Sequence, residues 1–268
     1  MNERIVSFFD REKIEFFSVL DYSDLRETKP HLIKKAGITP RSCIIFLIPY
    51  FFGYPRNFST YAASRDYHLY VKGVTERLIA VLREEYPGGS FAGFGDHSPI
   101  DERSAVCFAG LGILGKNGLV INEKYGSYVF IAEVITDVSP SVLGARGIKA
   151  PEVCIDCGAC RGACPTGVLR GESSECLSSV TQKKCELSER DIELMKSCCT
   201  VWGCDICQKV CPYNAKAEQT PIEFFREGRI DELTLDAVKG MSDSEFSERA
   251  FSWRGREVIL RNLSAVKK

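Results

Sequence analysis

The sequence of 268 residues lacks the features that mark secreted, membrane-spanning or strongly basic proteins. Its start, residues 1–5, has no charged segment followed by an apolar core, so we predict no signal peptide. Its longest apolar stretch, residues 43–54, is interrupted by Pro49 and Gly53 and is too short to cross a bilayer. A net charge of −1 does not indicate a nucleic-acid-binding domain. We therefore expect a cytoplasmic monomer that does not enter membranes.

The sequence also lacks a convincing dinucleotide-binding segment. Glycines do recur at Gly110, Gly112 and Gly115, just before Lys116 and Asn117. A dinucleotide fingerprint follows a strand, whereas these glycines follow a predicted helix. We interpret them instead as a loop in which the backbone can approach a ligand closely.

Thirteen cysteines are the most informative feature that is present. Eight of them form two runs and one isolated residue: Cys154-x2-Cys157-x2-Cys160-x3-Cys164-Pro165, then Cys176, then Cys204-x2-Cys207-x3-Cys211-Pro212. The first spacing is that of bacterial ferredoxins, in which the fourth cysteine of a run binds the other of two iron–sulfur clusters. The spacing therefore predicts two 4Fe–4S clusters.

This exchange of the fourth cysteine divides the eight thiolates between the clusters. One cluster takes Cys154, Cys157, Cys160 and Cys211, and the other takes Cys164, Cys204, Cys207 and a lone cysteine, for which Cys176 is the first candidate. Zinc sites usually present two C-x2-C pairs across a gap, and disulfides are rare in a reducing cytosol, so both are disfavoured. Of the other five cysteines, Cys185 is the alternative candidate for the eighth ligand, and four are predicted to pack rather than bind metal: Cys43, Cys107, Cys198 and Cys199.

The N-terminal part combines helical and strand patterns. Residues 1–38 are predicted to be helical, and the continuous apolar run at 43–48 predicts a buried central strand. The helix that follows is predicted to carry one apolar face, formed by Val71, Val74, Leu78 and Leu82. Ser98, with Pro99 behind it and Asp101 three residues on, predicts a helix start. Asp96 would then lie on a loop just before that helix.

Later segments complete the predicted organisation. Strand patterns occur at 118–122 and 127–136, and residues 139–151 are predicted to form a loose linker. Ser242 and Glu245 predict another helix start, and the basic end is predicted to be a solvated tail. The predicted fold class is α+β, in three parts: an α/β domain (1–148), a ferredoxin-like double 4Fe–4S domain (149–216) and a short helical C-terminal extension (217–268).

Further motifs accompany the cysteine runs: Arg65-Asp66-Tyr67-His68, Asp96-x2-Pro99-x2-Glu102-Arg103, Gly110-x-Gly112-x2-Gly115-Lys116-Asn117, Tyr125-Gly126-Ser127, Cys176-Leu177-Ser178 and Gly203-Cys204-Asp205. Taken in this order, they resemble one family, the cobalamin-dependent epoxyqueuosine reductases. The resemblance covers about residues 40–215. It is specific because several long motifs recur together in one order.

The resemblance implies a function and a second cofactor. In that family a base-off cobalamin lies between the α/β and ferredoxin-like domains, and epoxyqueuosine in the tRNA anticodon loop is reduced to queuosine. The resemblance gives Asp96 the role of proton donor and favours Cys176 over Cys185 as the eighth cluster ligand. It places the cobalamin pocket around His68, Arg103, Lys116, Asn117, Tyr125 and Ser127. The sequence has no D-x-H-x-x-G segment, which agrees with a cofactor that receives no protein imidazole on cobalt.

The resemblance also implies partners and leaves alternatives open. The expected partners are tRNA and an external electron donor such as ferredoxin or flavodoxin. Family members usually continue past residues 261–263 into helical repeats that help to grip tRNA, so we expect a short member without them. Two other functions are considered: a related corrinoid and iron–sulfur reductase acting on a non-tRNA substrate, and a non-catalytic electron-transfer ferredoxin. The ferredoxin alternative leaves Asp96 and the glycine loop without a purpose.

Overall fold

The computed structural model describes residues 3–150 and 153–267, and the chain divides into two compact units. The sheet unit comprises Met1–Tyr50 and His68–Ile155. The cysteine unit comprises Phe51–Tyr67 and Asp156–Lys268, so a segment from the N-terminal half belongs to it. The boundaries at 148 and 216 that we expect from the sequence stay predictions.

The sheet unit is built on a four-stranded antiparallel sheet with the order β1-β2-β6-β3. Its strands are β1 (Phe17–Asp21), β2 (Ser42–Pro49), β3 (Phe91–Phe94) and β6 (Val129–Thr136). A separate ribbon pairs β4 (Ile113–Leu114) with β5 (Val120–Ile121). All eight residues of β2 are buried, which confirms the buried central strand predicted from its apolar run.

Helices cover both faces of this sheet. They are α1 (Glu3–Arg11), α2 (Pro30–Ala36), α3 (Tyr67–Glu85), α4 (Glu102–Phe108) and α5 (Pro140–Leu143). Successive β2 side chains point to opposite faces. Ile45 joins a core cluster with Val106 of α4, and the Phe46 ring lies 5.0 Å, centroid to centroid, from Phe9 of α1. The predicted apolar face of α3 is buried as expected.

Two local predictions in the sheet unit are wrong, and a third is only partly confirmed. Residues 1–38 are not helical throughout, because 17–21 form β1 through pairing with β2, a tertiary contact that short local patterns do not reveal. Asp101, not Ser98, caps α4, since its side chain accepts the Ser104 N–H, and the helix begins at Glu102. The linker predicted at 139–151 includes the short helix α5, whose Leu143 is buried.

The strand patterns at 118–122 and 127–136 are partly confirmed. The second becomes β6, which lies between β2 and β3. The first shortens to β5 and pairs with β4 instead of joining the main sheet. Among the described residues, no helix is both long and apolar enough to cross a membrane.

The cysteine unit is made of short helices: α6 (Ala159–Ala163), α7 (Leu177–Thr181), α8 (Glu189–Ser197), α9 (Ile206–Lys209), α10 (Leu235–Gly240), α11 (Asp243–Ser247) and α12 (Arg256–Lys267). The predicted capping box at the start of α11 is present. The predicted solvated tail is wrong, because α12 buries Ile259 and Leu263 in a core cluster that includes Trp202.

Candidate functional site

Asp96 lies at the centre of a tight turn that follows β3. The His97 N–H donates to the Gly95 carbonyl at 2.7 Å, and Asp96 has a φ of +63°. A hydrogen bond from the N–H of residue i+2 to the carbonyl of residue i, with a positive φ at the residue between them, is the pattern of the classic γ-turn. This turn is rare and strained. Gly95 lets the turn lie close to α3, since a Cβ there would meet Val71 Cγ1 at 2.7 Å. Backbone strain of this kind concentrates at functional sites.

The Asp96 carboxyl faces solvent beside a histidine. His68 Nε2, near the start of α3, lies 3.5 Å from Asp96 Oδ2. The two side chains are 53% and 66% exposed, respectively. The structure therefore brings together two of the residues that the sequence assigns to the site, and it leaves both accessible to a ligand.

Two glutamates without an assigned role lie next to this turn: Glu102, which belongs to the motif that begins at Asp96, and Glu133, which belongs to no quoted motif. Glu102 Oε1 accepts the Asp96 N–H at 3.1 Å. Glu133, in β6, is fully buried and accepts a hydrogen bond from Ser98 Oγ. Burial, with a further contribution from Asp96, raises the pKa of Glu102 to about 7. Burial and the Glu102 charge raise the pKa of Glu133 well above its usual range.

A signal for Glu133 does exist in the sequence. It is an acid in the middle of the otherwise apolar strand Val129–Thr136, and acids are almost never fully buried without partners. Glu102 is part of the motif that begins at Asp96, but its place in the first turn of a helix, where acids are common, assigns it no particular role.

The glycine loop contacts the start of α4. Arg103 Nη1 donates to the Gly118 carbonyl at 3.0 Å. A Cβ at Gly112 would meet the Ile121 carbonyl at 2.8 Å, so this glycine is needed for packing against β5. Lys116 is exposed. Asn117 Oδ1 accepts the N–H of Leu119, whereas its Nδ2 is buried without a hydrogen-bond partner among the described residues.

An orphaned buried amide donor is uncommon in proteins, because it forfeits its hydrogen bonds to water. A ligand rich in carbonyl acceptors would satisfy the Asn117 amide. The exposed cations of Arg103 and Lys116 suit a phosphate on the same ligand. The residues present thus fit a cofactor that carries amides and a phosphate.

The two remaining predicted pocket residues are buried. Tyr125 donates through its hydroxyl to Glu15 Oε1 at 3.2 Å, and its ring contacts Phe16 edge-on. Burial, followed by the Glu15 charge, raises the pKa of Tyr125 to about 12. Ser127 is 4% exposed. The Tyr125 hydroxyl therefore points toward the N-terminal segment.

In the cysteine unit, helix packing brings the two cysteine runs together. Cys160 lies in α6 and Cys207 in α9, and these helices contact each other. Burial raises the pKa of Cys164, but hydrogen bonds from the Leu169 N–H and from Thr166 outweigh it and lower that pKa overall. Hydrogen bonds that stabilise a thiolate suit a metal ligand.

The two candidates for the eighth ligand have different surroundings. Burial and then the neighbouring Cys176 and Cys207 thiols raise the pKa of Cys204 to about 12, so Cys176 lies close to that pair. The Cys185 carbonyl instead accepts a hydrogen bond from Arg261 of α12. Cys198 and Cys199 line a small cavity that Cys204 also lines.

Asp205, between Cys204 and Cys207, anchors the second run. Its buried carboxylate accepts hydrogen bonds from Ser59 Oγ and, at 2.7 Å, from the Thr60 N–H. Residues 51–67 thus hold in place the loop that carries Cys204 and Cys207. Among the described residues, no three His, Cys, Asp or Glu side chains surround one point as the ligands of a single metal ion would. The thiolates of a cluster bind separate iron atoms and need not converge in that way.

Comparison with known proteins identifies the cysteine-rich segment. A family model for the 4Fe-4S double cluster binding domain matches residues 153–214. All eight predicted ligands lie within that range. The segment is therefore a double 4Fe–4S cluster-binding domain.

Related sequences extend the similarity beyond this domain. The epoxyqueuosine reductase of Listeria monocytogenes is 33% identical over 211 residues, which cover 74% of this chain and 53% of the relative. That of Leadbetterella byssophila is 33% identical over 227 residues, which cover 80% of this chain and 71% of the relative. The chain thus spans about half the length of the Listeria protein.

Solved structures agree with these matches in fold. The epoxyqueuosine reductase of Streptococcus thermophilus has a TM-score of 0.79 at 22% identity, covering 98% of this chain and 80% of that protein. An epoxyqueuosine reductase bound to an epoxyqueuosine-modified tRNA-Tyr stem loop has a TM-score of 0.78 at 23% identity, with the same coverage. The predicted α+β fold class is confirmed. The 33% identity to the Leadbetterella protein, over 71% of its length, shows that the chain belongs to the epoxyqueuosine reductase family.

Proposed function

We propose that this protein, acting as a monomer, reduces epoxyqueuosine to queuosine in the anticodon loop of tRNA. Opening the epoxide and releasing its oxygen as water leaves a carbon–carbon double bond, and this consumes two electrons and two protons. A related protein of the same fold has been solved with an epoxyqueuosine-modified tRNA stem loop, which supports this choice of substrate.

The observation that carries the proposal is the strained turn at Asp96. It presents an exposed carboxyl beside His68, and the backbone N–H of Asp96 is bonded to Glu102. In the proposed reaction, Asp96 donates a proton to the departing epoxide oxygen. A positioned proton donor contributes about 10²–10⁴-fold to a rate.

Base-off cobalamin is the proposed second cofactor, and it would supply the low-potential metal centre that the reduction requires. The Asn117 Nδ2, with no partner in the described chain, and the cations of Arg103 and Lys116 would hold it by its amide and phosphate groups. His68, Tyr125 and Ser127 complete the proposed pocket.

The eight cysteines would hold the two clusters in the exchanged pattern. The first cluster takes Cys154, Cys157, Cys160 and Cys211, and the second takes Cys164, Cys176, Cys204 and Cys207. Proximity to Cys204 supports Cys176 over Cys185. Single electrons would come from an external ferredoxin or flavodoxin, within the wide range of potentials that such clusters span.

Anaerobic turnover tests this function directly. The protein with its clusters intact is mixed with cobalamin, a low-potential reductant and an anticodon stem loop that carries epoxyqueuosine. Nucleoside analysis by mass spectrometry should find queuosine in the stem loop. If the loaded protein leaves epoxyqueuosine unchanged, the proposed function is wrong.

A further inference from the structure

A pair of carboxyl groups links the core of the sheet to the Asp96 turn. Glu133 lies in β6 opposite Ile45 of β2 and Phe94 of β3, and it is fully buried. Phe94 is two residues before Asp96, and Ser98, which donates to Glu133, is two residues after it. Both ends of the turn are thus fixed around Glu133.

Glu102 connects this buried acid to the turn itself. Its carboxyl accepts the Asp96 N–H at 3.1 Å, and its charge acts on Glu133, whose Oε2 is buried without a hydrogen-bond partner among the described residues. Two neighbouring carboxyl groups, Glu133 fully buried and Glu102 half-buried, do not both ionise readily, because like charges repel and burial penalises each charge. A proton held on one of them can form a hydrogen bond to the other.

We propose that Glu102 and Glu133 share a proton beside the Asp96 turn and that Glu102, when ionised, holds the turn in its strained form. Glu102 is then a positioning residue for the proposed proton donor, and this part of the inference rests on the proposed function. An ionised acceptor makes a stronger hydrogen bond to the Asp96 N–H than a neutral one does. The turn is therefore held more firmly above the pKa of Glu102, about 7, than below it.

The groups that face the pair come from several elements. Lys29, on the segment before α2, favours the ionised form of Glu102, and its Nζ lies 3.2 Å from His97 Nδ1. The other titratable groups near the pair are Asp96, the buried thiol of Cys43 and the phenol of Tyr22. The only cation among these contributors is Lys29, so the pair retains a proton near neutral pH.

Infrared spectroscopy of the full-length protein can detect the shared proton without any turnover. In wild type, part of the carboxylic-acid carbonyl absorption should disappear as pH rises through about 7, and part should persist into alkaline solution. Glu102→Gln should remove the titrating part, and Glu133→Gln the persistent part. The exposed Glu76→Gln is the matched control and should change neither. Absence of both bands in wild type, or their survival in both variants, would overturn the proposal.

Turnover then tests the coupling to Asp96. The pH profile of kcat on the modified stem loop should have an inflection near the pKa of Glu102, and Glu102→Gln should abolish that inflection. Glu102→Asp is shorter and should lower kcat about tenfold at every pH, the rate equivalent of one lost hydrogen bond. An inflection that survives in Glu102→Gln would overturn the positioning role. If wild type did not turn over at all, the infrared result would still decide whether the proton is shared.

Discussion

Two regions of the molecule are ordered by different forces. One is β2, the central strand of the sheet, and the other is the segment that carries the first cysteine run. Every residue of β2 is buried, so the burial of its apolar side chains favours the folded, ordered state of this strand without any cofactor. Among residues 156–163 none is buried, and Cys157 is exposed. A segment that buries so little cannot offset its loss of conformational entropy. This part of the cysteine unit therefore depends on its clusters for order, whereas the sheet unit depends on its core.

Removal of the iron is expected to have the largest effect, and it should affect only the cysteine unit. Metal binding to such sites is coupled to folding, so chelation of the clusters should release the segment that holds Cys157 and Cys160. Amide hydrogen exchange there should rise toward the rate of an unfolded chain, while β2 and β6 stay protected. Equal protection of residues 156–163 with and without iron would show that the segment is ordered by other contacts.

Single cysteine substitutions sharpen the comparison within the cysteine unit. Cys176→Ser should remove one ligand of the second cluster and lower the iron content from about eight to about four per chain. Cys185→Ser is the matched control, because Cys185 lies by Arg261, and it should retain all the iron. Iron analysis of anaerobic preparations checks both variants. Iron loss in Cys185→Ser alone would exchange the two assignments.

The pH dependence of stability tests the sheet unit. The pKa of Glu102 rises from 4.5 to about 7 on folding, so the folded state binds its proton more tightly. The contribution of Glu102 to the free energy of unfolding is therefore fully present below pH 4.5, its pKa in the unfolded chain, and is lost as pH rises through about 7. The expected loss is on the order of 2–3 kcal/mol. Glu102→Gln should flatten this decline in urea unfolding followed by circular dichroism. A decline of the same size in the variant would contradict the assignment to Glu102.

The smallest expected effect concerns α12, which helps to hold the cysteine unit. Asn262 Nδ2 donates to the Thr181 and Val201 carbonyls at 2.6 and 2.8 Å, in a fully buried position. Asn262→Ala should lower the free energy of unfolding by about 2 kcal/mol, because it leaves both buried carbonyls without their hydrogen-bond donor. The exposed Ser264→Ala on the same helix should cost less than about 0.5 kcal/mol. Thermal unfolding measures both variants. Equal unfolding midpoints for the two variants would show that the hydrogen bonds of Asn262 do not stabilise the cysteine unit.

The sequence predicted best where local pattern and physical cause coincide. The apolar run of β2, the buried face of α3 and the capping box of α11 are set by neighbouring residues, and all three are confirmed. The cysteine spacing is also a local signal, and the match to a double-cluster domain confirms it.

Predictions failed where the local structure is determined by contacts with residues that are distant in the sequence. The strand β1 exists because it pairs with β2, and the tail forms α12 because a core cluster receives it. Ser98 has the sequence context of a helix cap, yet its hydroxyl bonds to Glu133, thirty-five residues away. The proximity of Glu102 to Asp96 and Glu133 likewise depends on the turn and the sheet, which no sequence pattern shows.

In the proposed reaction Asp96 supplies the proton, while the cysteines and the proposed pocket hold the redox cofactors. Asp96→Asn keeps the size of the side chain and removes the acid. The most direct measurement compares single turnover of the modified stem loop by this variant and by wild type, with iron content and cobalamin binding recorded on the same samples. We expect unchanged cofactor binding and about 10²–10⁴-fold slower queuosine formation. A variant that forms queuosine at the wild-type rate would contradict this role of Asp96.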